Sequence, residues 1–336
     1  MLILDCLQNF RGAALIYQKG EPVLEYSGGF ADYANQIPNT LQTRFATASA
    51  GKAFIATAIL QLIHQKRLGF ETNLGEVLEI DLKGIDPEVT VRQLLNHTSG
   101  VPDYFDETVM EEYEELWVDY PNYKIRHNRD LLPLFIDKPM MYPRGERFQY
   151  NNTGYVLLAM IIETIAGMEF DVYLRENVFL PCGMENTGYY ELDMLPPGCA
   201  SNYIWDEERN GFRTNIYSVD VKGTGAGGAF TTVLDVLRFW KGLMEYRLLP
   251  ESMVREMTSI QSGDGKDPEE GFYGFGFWLI PEGDKGVIPY FQGCDPGVSC
   301  LSEYHPRTET VSVLVSNFGD NVWKIMREIR KQMYGE

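Results

Sequence analysis

The sequence has little positive charge and few histidines. Lys and Arg together number 29 against 48 Asp and Glu, and the net charge is −19. A chain of this charge repels an extended phosphate backbone, so we do not expect nucleic acid as a partner. The four histidines show no metal-ligand spacing, so neither a metal site nor a cofactor is expected.

Disulfide spacing, long apolar runs and a leader pattern are also missing. The cysteines are odd in number and scattered, which predicts reduced thiols. They are Cys6, Cys182, Cys199, Cys294 and Cys300. No stretch reaches the ~18 apolar residues of a membrane span. Residues 1–10 lack the basic region and apolar run of a secretory signal, which predicts a cytoplasmic protein without a membrane span.

Alternation and turn residues at both ends of the chain predict one antiparallel sheet. Residues 12–17 and 23–26 flank a hairpin turn, and further strands are expected at 273–280, 287–292, 297–304 and 310–316. The chain has 336 residues and 44% hydrophobic content, enough for a large core. We expect an α+β fold in which residues 1–75 and 221–336 form a discontinuous α/β sandwich domain. Oligomeric state is not predicted.

Helical periodicity dominates the middle of the chain, where residues 76–220 predict a mainly helical inserted domain. A helix from about residue 53 to 62 is apolar on nearly all sides, which indicates burial. Further helices are expected after a capping box at Thr90 and at 108–117, 128–137, 152–166, 170–179, 232–245 and 321–333.

The stretch Ser49-Ala50-Gly51-Lys52 places a hydroxyl and an amine on one helical face. A spacing of three brings their Cβ atoms to about 5–6 Å, within reach for a nucleophile and its base. The alternative is a helix-capping serine followed by a solvated lysine, because this short pattern arises often by chance.

A second proton carrier is expected in a Tyr-x-Asn pattern, which begins at Tyr33, Tyr120 and Tyr150. The first two lie in turn-rich loops. Tyr150 and Asn152 directly precede a buried helix, a rigid junction suited to aiming polar groups into a cleft. The alternative here is Asn152 as a plain N-cap with Tyr150 packed beside it.

Several motifs in order resemble the serine β-lactamase-like superfamily, in its branch of class C β-lactamases, D-alanyl-D-alanine carboxypeptidases and esterases. The resemblance covers nearly the whole chain and implies that superfamily's β-lactamase/transpeptidase-like fold. The motifs are SAGK at 49–52, LLNHTSGVP at 94–102, FQYNNTGY at 148–155, FLPCGM at 179–184, GGAFTTVLD at 227–235 and YGFG at 273–276.

The resemblance implies roles for matching residues. Ser49 would be the acylating nucleophile, Lys52 its proton acceptor and Tyr150 the carrier of a proton to the leaving group. Asn152 would hold a substrate amide or carbonyl while hydrogen-bonding near Lys52. A lysine at its usual pKa of about 10.4 is protonated at neutral pH, so the base role requires a lowered pKa.

The family's third element, a Lys-Thr-Gly or His-x-Gly strand, matches residues 291–297 (FQGCDPG). Gly293 would let substrate approach the backbone, and the N–H of Cys294 would join that of Ser49 as an oxyanion hole. Phe291 stands where the family places a cation for a substrate carboxylate, and Phe291 and Gln292 would line the substrate site. Either the enzyme acts on uncharged or apolar-ended esters or amides, or the site binds without turnover.

The resemblance therefore implies a serine hydrolase that forms an acyl-enzyme on Ser49 and acts on a small-molecule or peptide ester or amide. The alternative is a catalytically impaired penicillin-binding-like binding or regulatory protein.

Two other interpretations are weaker. Residues 223–228 contain G-x-G-x-x-G, but no helix begins within the glycines as a dinucleotide site requires. Cys294 could be a reactive thiol, although no histidine stands at a spacing that supports a Cys-His pair.

Overall fold

An antiparallel sheet forms the centre of the computed structural model, which describes residues 3–267 and 269–335. Met1, Leu2, Pro268 and Glu336, which the predicted domain boundaries include, lie outside the described residues. The strands of the antiparallel sheet are β1 (Gly12–Gln18), β2 (Glu21–Gly28), β9 (Ser262–Gly263), β10 (Phe272–Tyr273), β11 (Trp278–Pro281), β12 (Val287–Asp295), β13 (Val298–His305) and β14 (Thr310–Ser316). They lie in the order β2-β1-β14-β13-β12-β11-β10-β9, so both ends of the chain build the sheet.

Short strand pairs lie outside this sheet. They are β3 (Phe30–Asp32) with β4 (Ile37–Pro38), β5 (Phe45–Ala46) with β8 (Phe230–Thr231), and β6 (Tyr203–Asp206) with β7 (Gly211–Thr214). The pairing of β5 with β8 brings the segment before Ser49 beside the one that follows the glycine-rich stretch.

Helices cover both faces of the large sheet. The α-helices are α1 (Ile3–Cys6), α2 (Lys52–His64), α3 (Leu74–Val77), α4 (Val91–Leu95), α5 (Asn152–Ala166), α6 (Phe170–Leu174), α7 (Val233–Met244), α8 (Glu251–Met257) and α9 (Val322–Tyr334). In β1, Ala13 and Leu15 pack into one apolar cluster while Ala14 and Ile16 pack into another. Successive side chains of a strand point to opposite faces, so this central strand is apolar throughout.

Four predicted elements differ in the structure. The segments expected as helices at 108–117 and 128–137 contain only the 3-10 helices Tyr113–Trp117 and Asn128–Leu134, the second with Pro133 inside it. The strand expected at 273–280 is the hairpin of β10 and β11, because Gly274 to Phe277 reverse the chain. Helix 170–179 continues past α6 as a π-helical turn, Arg175–Phe179.

Helix α2 is buried along nearly its whole length, from Lys52 to Leu62. Phe54 packs edge-on against Phe179 and Phe239, with ring centroids 5.1 and 4.9 Å apart. This packing fixes the N-terminal end of α2 relative to the sheet.

The division of the chain into a sandwich domain and an inserted helical domain at residues 76–220 stays a prediction. No helix in the described part of the chain is long and apolar enough to cross a membrane.

Gly276, in the β10–β11 turn, provides a test of this packing. Its φ is +79°, and a Cβ there would lie 2.6 Å from Ala56 Cβ and 3.0 Å from the Lys52 carbonyl oxygen. Gly167 has φ +69° with open space around the same position. We expect Gly276→Ala to lower the free energy of unfolding by about 1–3 kcal/mol more than Gly167→Ala, because only the first adds overlap to the backbone strain. Denaturant unfolding measures both, and equal losses would contradict the packing described.

Candidate active site

Ser49 and Lys52 lie on adjoining turns at the start of the buried helix. Ser49 belongs to the 3-10 turn Ala48–Gly51, and Lys52 is the first residue of α2. Lys52 Nζ lies 2.9 Å from Ser49 Oγ. Ser49 is half-buried, whereas Lys52 is 1% exposed. The solvated-lysine alternative is therefore wrong.

Lys52 Nζ has three oxygen neighbours: Ser49 Oγ, Asn152 Oδ1 at 2.8 Å and the Ala226 carbonyl at 2.6 Å. The last two can only accept hydrogen bonds, whereas the serine hydroxyl can also donate. A neutral amine would donate its two N–H groups to Asn152 Oδ1 and to the Ala226 carbonyl. Its lone pair would then point at the hydroxyl of Ser49, the geometry that a base needs.

Burial lowers the pKa of Lys52 to about 8, and the charges of Glu107, Asp103 and Asp295 oppose that shift. The buried amine loses hydration that its charged form needs most, which favours the neutral form. About a tenth of Lys52 is then unprotonated at pH 7, and about half near pH 8. The lowered pKa that the base role requires is present.

Asn152 is held by the N-terminus of α5. The N-cap is Asn151, whose side chain accepts from Gly154 N at 2.7 Å. Buried Asp103 accepts from the backbone N–H groups of Asn152 and Thr153 at 2.8 and 3.0 Å. Burial raises the pKa of Asp103 to about 6 despite these bonds. Capping by Asn151 leaves the Asn152 side chain to reach Lys52, so the plain N-cap alternative for Asn152 is wrong.

The Tyr150 ring completes the polar group around Ser49. It stacks on Trp278, with centroids 5.6 Å apart, and lies 4.9 Å from Lys52 Nζ. Burial raises the pKa of Tyr150 well above its usual value, while a hydrogen bond with Ser49 opposes the shift. The neutral phenol can therefore donate a proton. The buried His97 ring packs 4.5 Å from Tyr150, and burial lowers the pKa of His97 well below its usual value.

Strand β12 passes directly over the nucleophile turn. Among the described residues, β11 pairs with β12 only as far as Tyr290. Beyond that point β12 contacts the Ala48–Gly51 turn instead. A Cβ on Gly293 would lie 2.2 Å from the Thr47 carbonyl and 2.6 Å from Ser49 N, so the approach requires glycine. The backbone of Gly293 and Cys294 is thus brought to Ser49.

Phe291 does not lie at the cleft, contrary to the prediction that it lines the substrate site. It is 2% exposed and stacks on Trp240, with centroids 5.4 Å and planes 11° apart. Phe54 and Phe239 complete an aromatic cluster around it. Burial in this cluster is favoured for an apolar ring, so Phe291 is a core residue and is not among the residues that line the cleft.

Gln292 and Cys294 do line the cleft. The Gln292 amide donates to Glu270 at 2.5 Å and accepts from Trp323 Nε1 at 2.6 Å, which fixes it at the rim. Cys294 is an exposed residue, but partial desolvation of its sulfur at the cleft wall raises the pKa of the thiol to about 11. The thiol is protonated at neutral pH, which argues against a thiolate nucleophile.

The cleft has a volume of about 880 Å³ and an acidic lining. Its carboxylates are Glu107, Glu111, Glu112, Glu114, Asp220, Glu270 and Asp295. Among the described lining residues the single Arg or Lys is Arg213, which donates to Glu114 at 2.9 Å and Ser218 at 3.0 Å. Lys285 and Arg307 are not among the lining residues. Tyr190, Leu192, Ile204, Phe230 and Val298 form an apolar wall.

Two carboxyl groups of this cleft, Asp220 and Asp295, have raised pKa values. Burial raises the pKa of Asp295 and the charge of Asp220 adds to the shift. Burial also raises the pKa of Asp220, whose Oδ1 accepts from the Tyr113 hydroxyl at 3.0 Å. No hydrogen bond to the Asp295 carboxylate is formed by the residues that the structure describes. In residues 3–267 and 269–335, no group of three or more His, Cys, Asp or Glu side chains could hold a metal ion.

The glycine-rich segment packs against the nucleophile turn. A Cβ on Gly227 would lie 2.4 Å from the Ala48 carbonyl, and the Gly228 N–H donates to that carbonyl at 3.0 Å. Residues 216–221, directly before it, form a series of turns. The glycines thus position the Ala226 carbonyl beside Lys52 and form a wall of the cleft.

Sequence reasoning missed the contacts of the Ala226 carbonyl and of Glu107. The identity of Ala226 gives no indication that its backbone carbonyl accepts from Lys52, and the close approach at Gly227 is seen only in the structure. Asp103 follows the LLNHTSGVP motif, but it acts by accepting hydrogen bonds from the first backbone N–H groups of α5. That contact is between distant segments, and no local sequence pattern indicates it.

The chain is similar to known proteins over most of its length. A family model described as Beta-lactamase matches residues 4–325. Penicillin-binding protein 4* of Bacillus subtilis is 29% identical over 87% of this chain, and a D-aminopeptidase of Brucella anthropi is 28% identical over 91%. The chain spans 65% and 56% of the length of these two relatives.

The crystal structure of a penicillin binding protein from Bacillus halodurans superposes with a TM-score of 0.92 and 36% identity, covering 99% of this chain and 100% of that one. The D-amino acid amidase of Ochrobactrum anthropi SV3 has a TM-score of 0.82 at 23% identity, covers 99% of this chain and 97% of its own, and shares the fold. The predicted β-lactamase/transpeptidase-like fold is confirmed.

The lowered pKa of Lys52 predicts how activity depends on pH. Only the neutral amine can accept the Ser49 proton, so kcat/KM should rise with pH and level off above about 8. A pH–rate profile on a substrate without ionisable groups measures this midpoint. Lys52→Arg, which keeps a charge that does not titrate in this range, should lose most activity throughout. A wild-type profile that is flat between about pH 6 and 9 would contradict the base assignment.

Proposed function

We propose that this chain, which belongs to the Beta-lactamase family, is a serine hydrolase that cleaves amides or esters through an acyl-enzyme on Ser49. The observation that carries the proposal is the placement of Lys52. Two fixed acceptors, Asn152 and Ala226, take both N–H groups of its neutral form and leave the lone pair for Ser49.

Acylation would begin when Lys52 Nζ takes the proton of Ser49 Oγ. The oxygen attacks the substrate carbonyl carbon, and the backbone N–H groups of Ser49 and Cys294 stabilise the resulting oxyanion. The Tyr150 phenol donates its proton to the leaving nitrogen or oxygen as the bond to carbon breaks. The Lys52 ammonium then returns the first proton to Tyr150, and Lys52 is neutral again.

Deacylation would follow the same route with water as the nucleophile. A water molecule loses a proton to the Lys52–Tyr150 pair and attacks the ester carbonyl. Ser49 Oγ leaves and recovers that proton. The product is a carboxylic acid, and the protein returns to its starting state.

The cleft favours substrates without a carboxylate near the scissile bond. Its lining is acidic and Arg213 is already engaged by Glu114. The apolar wall that includes Tyr190 and Phe230 suits an apolar side chain. Because one relative is named a D-aminopeptidase, amides of D-amino acids are the first class to test.

A binding or regulatory protein without turnover is the rival function. The relative named penicillin-binding protein 4* and the lack of an unengaged Arg or Lys among the described lining residues favour it. It predicts ligand binding without release of product.

Covalent labelling tests the nucleophile. We expect a fluorophosphonate or a β-lactam to add one adduct to the wild type in intact-mass spectra, because Ser49 is activated by Lys52. Ser49→Ala should form none. Ser259→Ala, which removes an exposed hydroxyl outside the cleft, should label as the wild type does. Absence of any adduct with reactive acyl and phosphonyl probes would exclude the acyl-enzyme route.

A matched pair of substrates tests the preference against carboxylates. A D-alanyl-D-alanine peptide and its C-terminal amide differ only in the charge beside the scissile bond. We expect kcat/KM to be about tenfold or more higher for the amide, because the lining carboxylates repel the free acid. The difference should shrink at high salt. A preference for the free acid would show that a cation serves this site after all.

A further inference from the structure

Asn152 has no amide proton left for a substrate. The resemblance implies that its side chain holds a substrate amide or carbonyl. Here Oδ1 accepts from Lys52, and Nδ2 donates to the Phe105 carbonyl and to Glu107 Oε1, both at 3.3 Å. An amide nitrogen carries two protons, so both are used. A substrate carbonyl placed here would find no N–H donor left on Asn152, and it would lie beside the Phe105 carbonyl and the Glu107 carboxylate.

Glu107 presents its carboxylate at this point of the cleft. It is exposed and lines the cleft together with Ser49 and Asn152. Its Oε1 holds Asn152, and among the described residues no ion pair or hydrogen bond to Oε2 is formed. The hydrogen-bonded series Glu107–Asn152–Lys52–Ser49 keeps the carboxylate close to the nucleophile.

The loop that carries Glu107 is ordered by its own hydrogen bonds. Asp106 accepts from the backbone of Thr108 at 3.0 Å and from its hydroxyl at 2.6 Å, and the Asp106 carbonyl accepts from Met110 N at 2.9 Å. The carboxylate is therefore presented from a turn of defined shape, which lowers the entropy that ligand binding must overcome.

We propose that Glu107, and not Asn152, meets the substrate at this subsite, and that it binds a protonated amine carried by the acyl part of the substrate. This inference rests on the proposed hydrolase function, because the same cleft holds Ser49. The subsite has the opposite polarity to the one that the resemblance implies: it accepts hydrogen bonds where a donor was expected.

The rest of the cleft supports this polarity. Glu111, Glu112 and Glu270 line the same cleft, and Arg213, the one Arg or Lys among the described lining residues, is engaged by Glu114. An ammonium group has three donors and fits a site that offers carboxylate oxygens. A net charge of −19 also attracts a cationic substrate at long range.

The test compares the amine with its neutral derivative. D-alanine p-nitroanilide and N-acetyl-D-alanine p-nitroanilide differ in the charge of the acyl part, and near pH 7 the free amine is largely protonated. The readout is the ratio of their kcat/KM values, because any change in Lys52 or Asn152 affects both substrates and cancels in the ratio.

Glu107→Gln keeps an oxygen for Asn152 and removes the charge. Glu111→Gln removes the same charge from the same cleft without a bond to Asn152. We expect the wild type to favour the free amine, Glu107→Gln to lower the ratio about tenfold, and Glu111→Gln to lower it less than about twofold. Equal effects of the two variants, or a wild-type preference for the N-acetyl substrate, would overturn the proposal.

A binding experiment separates this proposal from the hydrolase function. In the Ser49→Ala background, calorimetry with D-alanine amide reports the subsite without catalysis, and adding Glu107→Gln should weaken that binding about tenfold. If Ser49 forms no adduct but binding still depends on Glu107, the hydrolase function fails and the subsite stands. If Ser49 is labelled but binding does not depend on Glu107, the subsite fails and the hydrolase stands.

Discussion

Burial of the Lys52 amine among three oxygen atoms is the constraint on which the site depends. A buried ammonium is costly, so burial favours the neutral amine. The carboxylates of Glu107, Asp103 and Asp295 act against burial and keep the pKa near 8 instead of far lower. The balance between desolvation and surrounding negative charge leaves an amine that can both take and return a proton near neutral pH.

The fold holds this balance by bringing distant segments to one turn. Helix α5 supplies Asn152, the glycine-rich segment supplies the Ala226 carbonyl, and β12 supplies the backbone opposite Ser49. Gly227 and Gly293 permit contacts that any Cβ would prevent. Both ends of the chain enter the sheet, so the nucleophile turn is fixed only when the strands from both ends have paired.

Much of this arrangement follows from local sequence. The buried helix after Ser49, the strands at 297–304 and 310–316 and the helix after Asn152 have clear apolar patterns, and the structure contains each of them. Residues 273–280 are apolar and aromatic enough for one strand, but the positive φ of Gly276 makes them a hairpin. The sequence does not report which side of β12 faces a cleft. For this reason Phe291 was expected at the substrate, but in the structure it lies in an aromatic cluster. Glu107 was not expected, because it reaches the cleft from a loop that carries no motif.

Direct titration of the Lys52 amine tests the account most closely. Carbon-13 labelling of the lysine side chains, with Lys52 assigned by its loss in Lys52→Arg, follows the protonation of this one amine by NMR. The account predicts a midpoint near pH 8. A midpoint near the ordinary lysine value of about 10.4 would show that Lys52 is charged at neutral pH, and would contradict its role as the base for Ser49.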